Sequence, residues 1–422
     1  MDYPLWLPKF FSGGLVIACI SIVHVFVAQF AVGMGLYMVV AEHIAIKNKD
    51  SKFLSYIKSN SALILLIAAV LGATTGVGIW FSIALVSPAA TSVLIHNFVW
   101  IWASEWIFFV LEIVSILLYY YTWGKISAKL HITIGWFYFV GGIFSLILIN
   151  GIITFQLTPG NWISTHDIWD GYFNPTFLPS TIGRIGVSIL LAAVYATLVI
   201  SFVKDIPLKK YAGRYTGFFL IIGTALTAIG MICWVYSLPE DLRQQFMGGN
   251  IALTNFYKYF IILTTILFLF SLAFTLLFPK YMNIVISLLV MAIGLSSVGY
   301  YEFLRERVRK PYIIRDYMYS NGILLSEVDK LNKNGVLAKV KWANIEEYKD
   351  VERVGEAVFR AECNICHGLT IFNPIIPKIQ GLSAEDLYYV IDSLQYNPLM
   401  PPFIGTEEEK SALSVFLAKI AK

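Results

Sequence analysis

Eight long apolar stretches constrain this chain more than any other feature. They lie at residues 12–45, 60–86, 92–123, 130–157, 179–203, 214–237, 254–278 and 281–302 of 422. A helix needs about 20 mainly apolar residues to cross the hydrocarbon core of a bilayer, and there each backbone polar group must be satisfied within the segment. The stretches therefore predict eight membrane-spanning helices and an all-α fold. Composition agrees: 58% of residues are hydrophobic, 14% are charged, and the mean hydropathy is +0.70. A soluble chain carries about a quarter charged residues, so a water-soluble enzyme is excluded for most of the length. Disorder is excluded too, because the chain is too apolar and too aromatic.

The charges are unevenly spread. Of 58 Asp, Glu, Lys and Arg, 25 fall in residues 1–301 and 33 in residues 302–422. We divide the chain into a transmembrane bundle over 1–302, a polar connector over 303–344 and a small helical domain over 345–422. In that last part Lys349–Glu362 and Glu407–Ala421 read as amphipathic helices. No internal repeat or low-complexity segment is visible. The N-terminal apolar run is too long for a cleavable signal peptide.

Orientation follows from the connections. The first, third, fifth and seventh carry Lys47, Lys49, Lys52, Lys58, Lys125, Lys129, Lys204, Lys209, Lys210, Arg214 and Lys280. The N-terminus and the even connections carry only Lys9, Arg184, Arg243 and Lys258. The positive-inside rule puts the odd connections in the cytoplasm. The N-terminus and, after eight spans, the C-terminal domain are then expected outside a bacterial cytoplasmic membrane.

Cys363-Asn364-Ile365-Cys366-His367 is C-x-x-C-H, the attachment signature of a covalent c-type haem. The two thiols add to the porphyrin vinyl groups, and the adjacent His becomes an axial iron ligand. Met400, beside Pro401 and Pro402 and 33 residues after His367, suits the second axial position. Gly355, Phe359 and the terminal helix make residues 345–422 resemble class I cytochrome c. The competing reading is an accidental motif with a core methionine. Cys19 and Cys233 lie singly in apolar runs and read as packing residues.

Histidine placement tests which membrane haem protein this is. A cytochrome b of bc complexes needs two His about four turns apart on each of two helices. Outside the C-x-x-C-H motif the chain has His24, His43, His96, His131 and His166, and only one span holds two of them, 19 apart. Haem–copper oxidases need at least six membrane His with an adjacent pair, which also fails. The chain instead resembles subunit I of the cytochrome bd quinol oxidases. The resemblance rests on His24-Val-Phe-Val-Ala-Gln-Phe-Ala-Val-Gly-Met-Gly35, Gly72-Ala-Thr-Thr-Gly76, Glu105-Trp-Ile-Phe-Phe-Val-Leu-Glu112, His131 followed by Asn150-Gly151, and Arg309-Lys-Pro-Tyr312. It covers spans one to four well and runs weakly to about residue 312.

The resemblance implies that His24 is a membrane haem ligand. The alternative is a His bonded to a neighbouring helix. Glu105 and Glu112 lie seven apart, on one helix face. A carboxylate at mid-membrane costs ~2.5–3.5 kcal/mol on insertion scales, so each is expected to face the interior, as a haem ligand, a proton relay or a neutral hydrogen-bonded acid. The family's first carboxylate aligns nearer Ser104, one residue from Glu105. His131 suits haem ligation, a proton path or the membrane interface, and His96 suits haem contact, a proton path or packing. His43 and His166 lie near the membrane surface and read as solvated. Glu302 lies some residues from a family haem-ligating glutamate and joins the candidates for haem ligation or a proton path. Arg184, Arg305 and Arg309 are candidates for haem propionates; the competing reading is lipid headgroups.

Two family features are missing. The low-spin haem's His follows an Asn-Pro in the fifth span, but after Asn174-Pro175 the matching region reads Ile182-Gly183-Arg184-Ile185. The position of its Met partner falls near Phe260. The quinol-binding outer loop is short, at about residues 238–253.

The expectation is the large subunit of a bd-like oxidoreductase of a respiratory chain. It would hold one covalent haem c and one or two non-covalent haems b or d. Electrons would come from quinol or through haem c, oxygen would be reduced at the His24 haem, and protons would enter past Glu112 and Glu105. A second reading oxidises quinol and exports electrons through haem c to an outer acceptor. A third is a mere membrane anchor for a cytochrome c. Expected partners are the lipid bilayer, quinone, a periplasmic electron carrier, and a second membrane subunit or a second copy, with no nucleic acid.

Overall fold

The structure, a computed structural model, describes residue 6 and residues 10–340 and 350–422. The boundary drawn at 344/345 lies outside the described residues, as do Lys9 and Lys349. Among the described residues, eight helices are long and apolar enough to cross a membrane: α1 (Gly13–Lys47), α2 (Ser51–Val86), α3 (Pro88–Tyr121), α4 (Ala128–Phe155), α5 (Phe177–Ser201), α6 (Ile206–Tyr236), α7 (Ile251–Leu277) and α8 (Ile284–Arg307). The chain is a multi-pass membrane protein with an all-α bundle. Several spans open on a polar residue whose side chain accepts an otherwise unpaired first-turn N–H: Asp50, Ser127, Asp205, Asn250 and Asn283. Within α2 the residues Leu66–Gly72 widen into a π-helical segment.

The described residues form two compact units. One takes Met1–Ile22, Gly76–Asn97 and Arg309–Lys422; the other takes Val23–Thr75 and Phe98–Val308.

In the second unit, α5 is the most enclosed span. It packs on α6 through small residues: a Cβ at Gly223 would stand 2.5 Å from the Leu190 backbone nitrogen, so only glycine allows the backbones this close. Two polar contacts link odd-numbered connections. Lys52 Nζ meets Asp205 Oδ2 at 2.5 Å, and Lys209 Nζ donates to the Met282 carbonyl at 3.1 Å. The first, fifth and seventh connections are thus gathered at one end of this unit.

In the first unit, a short antiparallel hairpin, β1 (Tyr312–Ile314) and β2 (Met318–Tyr319), precedes α9 (Val328–Asn334). Then follow α10 (Val351–Glu362), α11 (Ala384–Asp392) and α12 (Glu407–Ile420). Val358, Phe359, Leu387 and Leu413 build their core. The stretch read as a polar connector also contributes Ile323, Leu331, Val336 and Leu337. The Glu409 carboxylate fixes that stretch by accepting from the Val336 and Leu337 N–H groups at 2.8 and 3.0 Å.

Candidate functional site

The C-x-x-C-H segment follows directly from α10. Cys366 N and His367 N both donate to the Cys363 carbonyl, at 3.1 and 2.9 Å, so the motif is a single tight turn carrying both thiols. His367 is buried, and its Nδ1 lies 3.1 Å from the Asn373 carbonyl. A carbonyl only accepts, so Nδ1 carries the proton and Nε2 keeps its lone pair. Burial lowers the pKa of this imidazole and favours the neutral ring. This donor set, two thiols and one oriented imidazole nitrogen, fits a covalent haem. Met400 lies half-buried in a bend before Pro401.

Two backbone contacts position the turn. Helices α10 and α12 cross where a Cβ at Gly355 would stand 2.1 Å from the Ala412 carbonyl oxygen, and the Phe359 and Phe416 rings pack 5.8 Å apart beside it. The Asn364 and Ile365 carbonyls accept from Gly13 N and Gly14 N at 3.0 and 2.8 Å. The motif turn therefore caps the first residues of α1, whose N–H groups lack partners within the helix.

In the second unit, His24 Nδ1 lies 3.1 Å from Thr75 Oγ1. That hydroxyl has one proton, which it donates to the Leu71 carbonyl at 2.6 Å. Thr75 is therefore the acceptor, Nδ1 carries the proton, and Nε2 is left with its lone pair. This tautomer leaves Nε2 available to a metal.

Three of the charged candidates come together. Arg305 Nη1 and Arg184 Nη2 lie 2.9 and 3.7 Å from Glu302 Oε2, and Gln29 Nε2 donates to Oε1 at 3.3 Å. Glu302 is thus held by two guanidiniums and an amide, a partner set that does not call for iron. The Nε–H of Arg184 and that of Arg305 are buried with no acceptor among the described residues, which suits an anionic group such as a propionate. Arg309 belongs to the other unit.

Glu105, Glu112 and Tyr119 recur every seven residues on α3, and His131, Tyr138 and Ser145 do so on α4. Ser145 Oγ donates to Glu105 Oε1 at 2.6 Å. Glu112 reaches the space left by Gly142, where a Cβ would stand 3.5 Å from its Oε1. His131 Nε2 lies 2.9 Å from the Tyr119 carbonyl and Nδ1 2.6 Å from Glu42 Oε1. Both nitrogens are taken, which removes His131 from haem ligation. His96 is exposed, and its Nδ1 lies 2.8 Å from the Ser92 carbonyl in its own turn. His43 and His166 are exposed.

The position matching the family's low-spin ligand is filled. Tyr301 is fully buried and lies so close to Gly183 that a Cβ there would stand 2.2 Å from the phenolic oxygen. Phe260, also fully buried, packs 6.1 Å from the same ring. These residues offer iron no nitrogen or sulfur, and they do not fit that haem.

Sequence reasoning missed Glu42, Thr75, Asn373 and Ser145 as partners. Glu42 was within reach: it is a carboxylate inside an apolar span, 18 residues or five turns after His24. The other three are short polar side chains or loop carbonyls whose importance is set only by what folds against them.

The chain is similar to known proteins in three comparisons. A family model described as cytochrome bd terminal oxidase subunit I matches residues 15–237. A "Putative cytochrome bd menaquinol oxidase subunit I" of Bacillus subtilis (strain 168) is 26% identical over 196 residues, 44% of this chain and 43% of that protein. The alignment thus spans less than half of that relative's length. The structure of bd oxidase from Geobacillus thermodenitrificans matches with a TM-score of 0.61 at 14% identity, covering 73% of this chain and 90% of that one. That likeness concerns the fold. With the family model matching more than half of its length, the chain belongs to the cytochrome bd terminal oxidase subunit I family.

Proposed function

We propose that this chain is the haem-carrying subunit of a bd-type oxidase, fused to a class I cytochrome c domain that lies on the outer side of a bacterial cytoplasmic membrane. The observation that carries the reading is the His24–Thr75 hydrogen bond, which leaves an imidazole lone pair inside a membrane span. His24 would hold a haem b or d. Arg184 and Arg305, with Nε–H groups lacking acceptors, would receive its propionates. Cys363 and Cys366 would carry the covalent haem, and His367 and Met400 would hold its iron. When bound, the haems would supply one-electron iron couples, which suit oxygen reduction in the membrane and electron exchange with a carrier outside.

The chain's own residues do the rest. Thr75 and Asn373 fix the tautomers of the two ligating imidazoles. The Glu302 carboxylate fixes the two arginines. Glu112 and Glu105 face inward between α3 and α4 and would pass protons from the cytoplasmic side. The low-spin haem of the family is replaced by the packing of Gly183, Phe260 and Tyr301. Electrons would then enter from quinol elsewhere in the bundle or through haem c. A second membrane subunit and a quinol donor follow from the same family reading.

The test is an optical spectrum of the purified full chain with haem extraction, followed by oxygen uptake with quinol or reduced cytochrome c as donor. One covalent and at least one extractable haem, with oxygen uptake, is expected. Extractable haem without oxygen uptake would favour electron export through haem c. Covalent haem alone would reduce the chain to an anchor.

A further inference from the structure

Glu42 on α1, Tyr119 on α3 and His131 on α4 close a hydrogen-bonded ring whose three side chains are almost wholly buried, at 1%, 2% and 3% exposure. Its protons can be counted from geometry. His131 Nε2 faces the Tyr119 carbonyl at 2.9 Å, so it must carry a hydrogen and donate. Tyr119 Oη donates to Glu42 Oε2 at 2.7 Å. The remaining contact, His131 Nδ1 to Glu42 Oε1 at 2.6 Å, would then set two lone pairs against each other unless a proton lies between them. Imidazolium with carboxylate and imidazole with carboxylic acid are the two ways of writing that one proton.

We infer that Glu42 and His131 share a single buried proton and act as the loading station for the Glu112–Glu105 line. The ring sits at its foot. Tyr119 is two turns along α3 from Glu112, and His131 two turns along α4 from Tyr138, so each step covers about 10.5 Å and runs through water. When the shared proton leaves toward Glu112, it leaves imidazole and carboxylate behind. A proton from water at the Lys47 end of α1 restores the pair, so charge balances over the cycle. Tyr119 on α3 faces the pair, and Tyr215 on α6 lies beyond it. Neither supplies a second carboxylate that would make the count ambiguous.

The proposal rests on the oxidase reading for the destination of the proton but not for its existence, so two readouts are needed. The first is solid-state nitrogen NMR of the histidine-labelled full chain. His131 is expected to show a protonated Nε2 and an Nδ1 in a proton-sharing bond, and the Glu42→Gln variant a plain neutral ring. An ordinary neutral imidazole in the wild type overturns the inference. The second is the rate of proton uptake, read by a pH dye in weak buffer, when dithionite reduces the haem-loaded protein. Glu42→Gln is expected to slow it at least ~100-fold with the haem spectrum unchanged, and Glu42→Asp to restore part of it. A purely structural ring would lower the melting temperature of Glu42→Gln and leave the uptake rate alone, which also overturns the inference. Absence of extractable haem in the wild type would sink both the oxidase reading and the loading role, while a shared proton in the first readout would still mark that failure as one of destination.

Discussion

His24 Nδ1 and Thr75 Oγ1 lie 3.1 Å apart, and the threonine's own proton is committed to the Leu71 carbonyl at 2.6 Å. The hydroxyl therefore reads the imidazole as a donor and leaves Nε2 aprotic. Thr75→Val keeps the shape and removes the acceptor. It should weaken binding of the extractable haem by about 10–100-fold, the usual effect of losing such a partner. Thr75→Ser should bind like the wild type. Pyridine haemochrome assay of the extracted fraction checks both; equal haem in the valine variant would refute the role given to Thr75.

The proposed covalent haem site makes a separate prediction. A Met/His pair holds a haem at higher potential than a pair of imidazoles. Met400→His should therefore lower the midpoint potential of the covalent haem and leave attachment through Cys363 and Cys366 intact. Redox titration of the full chain reads this directly, and an unchanged potential would mean that Met400 is not an axial ligand.

Much of the fold was legible in the sequence. Length and hydropathy located all eight spans, because a lipid-crossing helix has few alternatives. The C-x-x-C-H motif is visible in the sequence because its spacing is local; that it forms one tight turn is seen only in the structure. The partners were not legible. Glu42 and His131 are 89 positions apart, and Gln29 and Glu302 are 273 apart. Glu42 lies on α1 with no second carboxylate seven residues away on its own helix, so its role shows only once α3 and α4 pack against it. Residues 303–344 read as polar because 13 of their 42 residues are charged. Yet Ile323, Leu331, Val336 and Leu337 are what the fold buries, and Glu409 holds their backbone from 72 residues away.

The crossing of α10 and α12 tolerates no side chain at position 355. A Cβ would stand 2.1 Å from the Ala412 carbonyl oxygen and 2.6 Å from Phe416 Cβ. Backbone and packed ring are both hard to displace. Gly355→Ala should cost about 1–3 kcal/mol and lower the yield of covalent haem. Hydrogen exchange of α10 and α12 peptides measures the loss. Protection equal to the wild type would contradict the packing described.

Breaking the Glu302 cluster should cost more than its exposure suggests. Two guanidiniums share one carboxylate, and Arg184 is 5% exposed. Glu302→Ala leaves both charges buried without that partner, a change that costs about 3–5 kcal/mol when no other anion replaces it. Added haem with ionised propionates should recover part of the loss if those arginines receive them. Melting of the variant with and without haem separates the two contributions.

The C-terminal unit should become less stable as pH rises. Burial pushes the Glu362 carboxyl well above the ordinary glutamate range, against the opposing hydrogen bond from the Ile404 N–H at 3.2 Å. In the unfolded chain the same group titrates at about 4.3. The folded state therefore binds this proton more tightly than the unfolded state. Its contribution is fully present below the unfolded value and is lost as pH climbs toward the folded one. Glu362→Gln keeps an oxygen to accept from Ile404 and has no proton to lose. It should match the wild type in acid and exceed it near neutrality. Hydrogen exchange of the 351–362 helix across that interval tests the sign, and a wild-type unit that gained protection with rising pH would show that Glu362 is ionised in the fold.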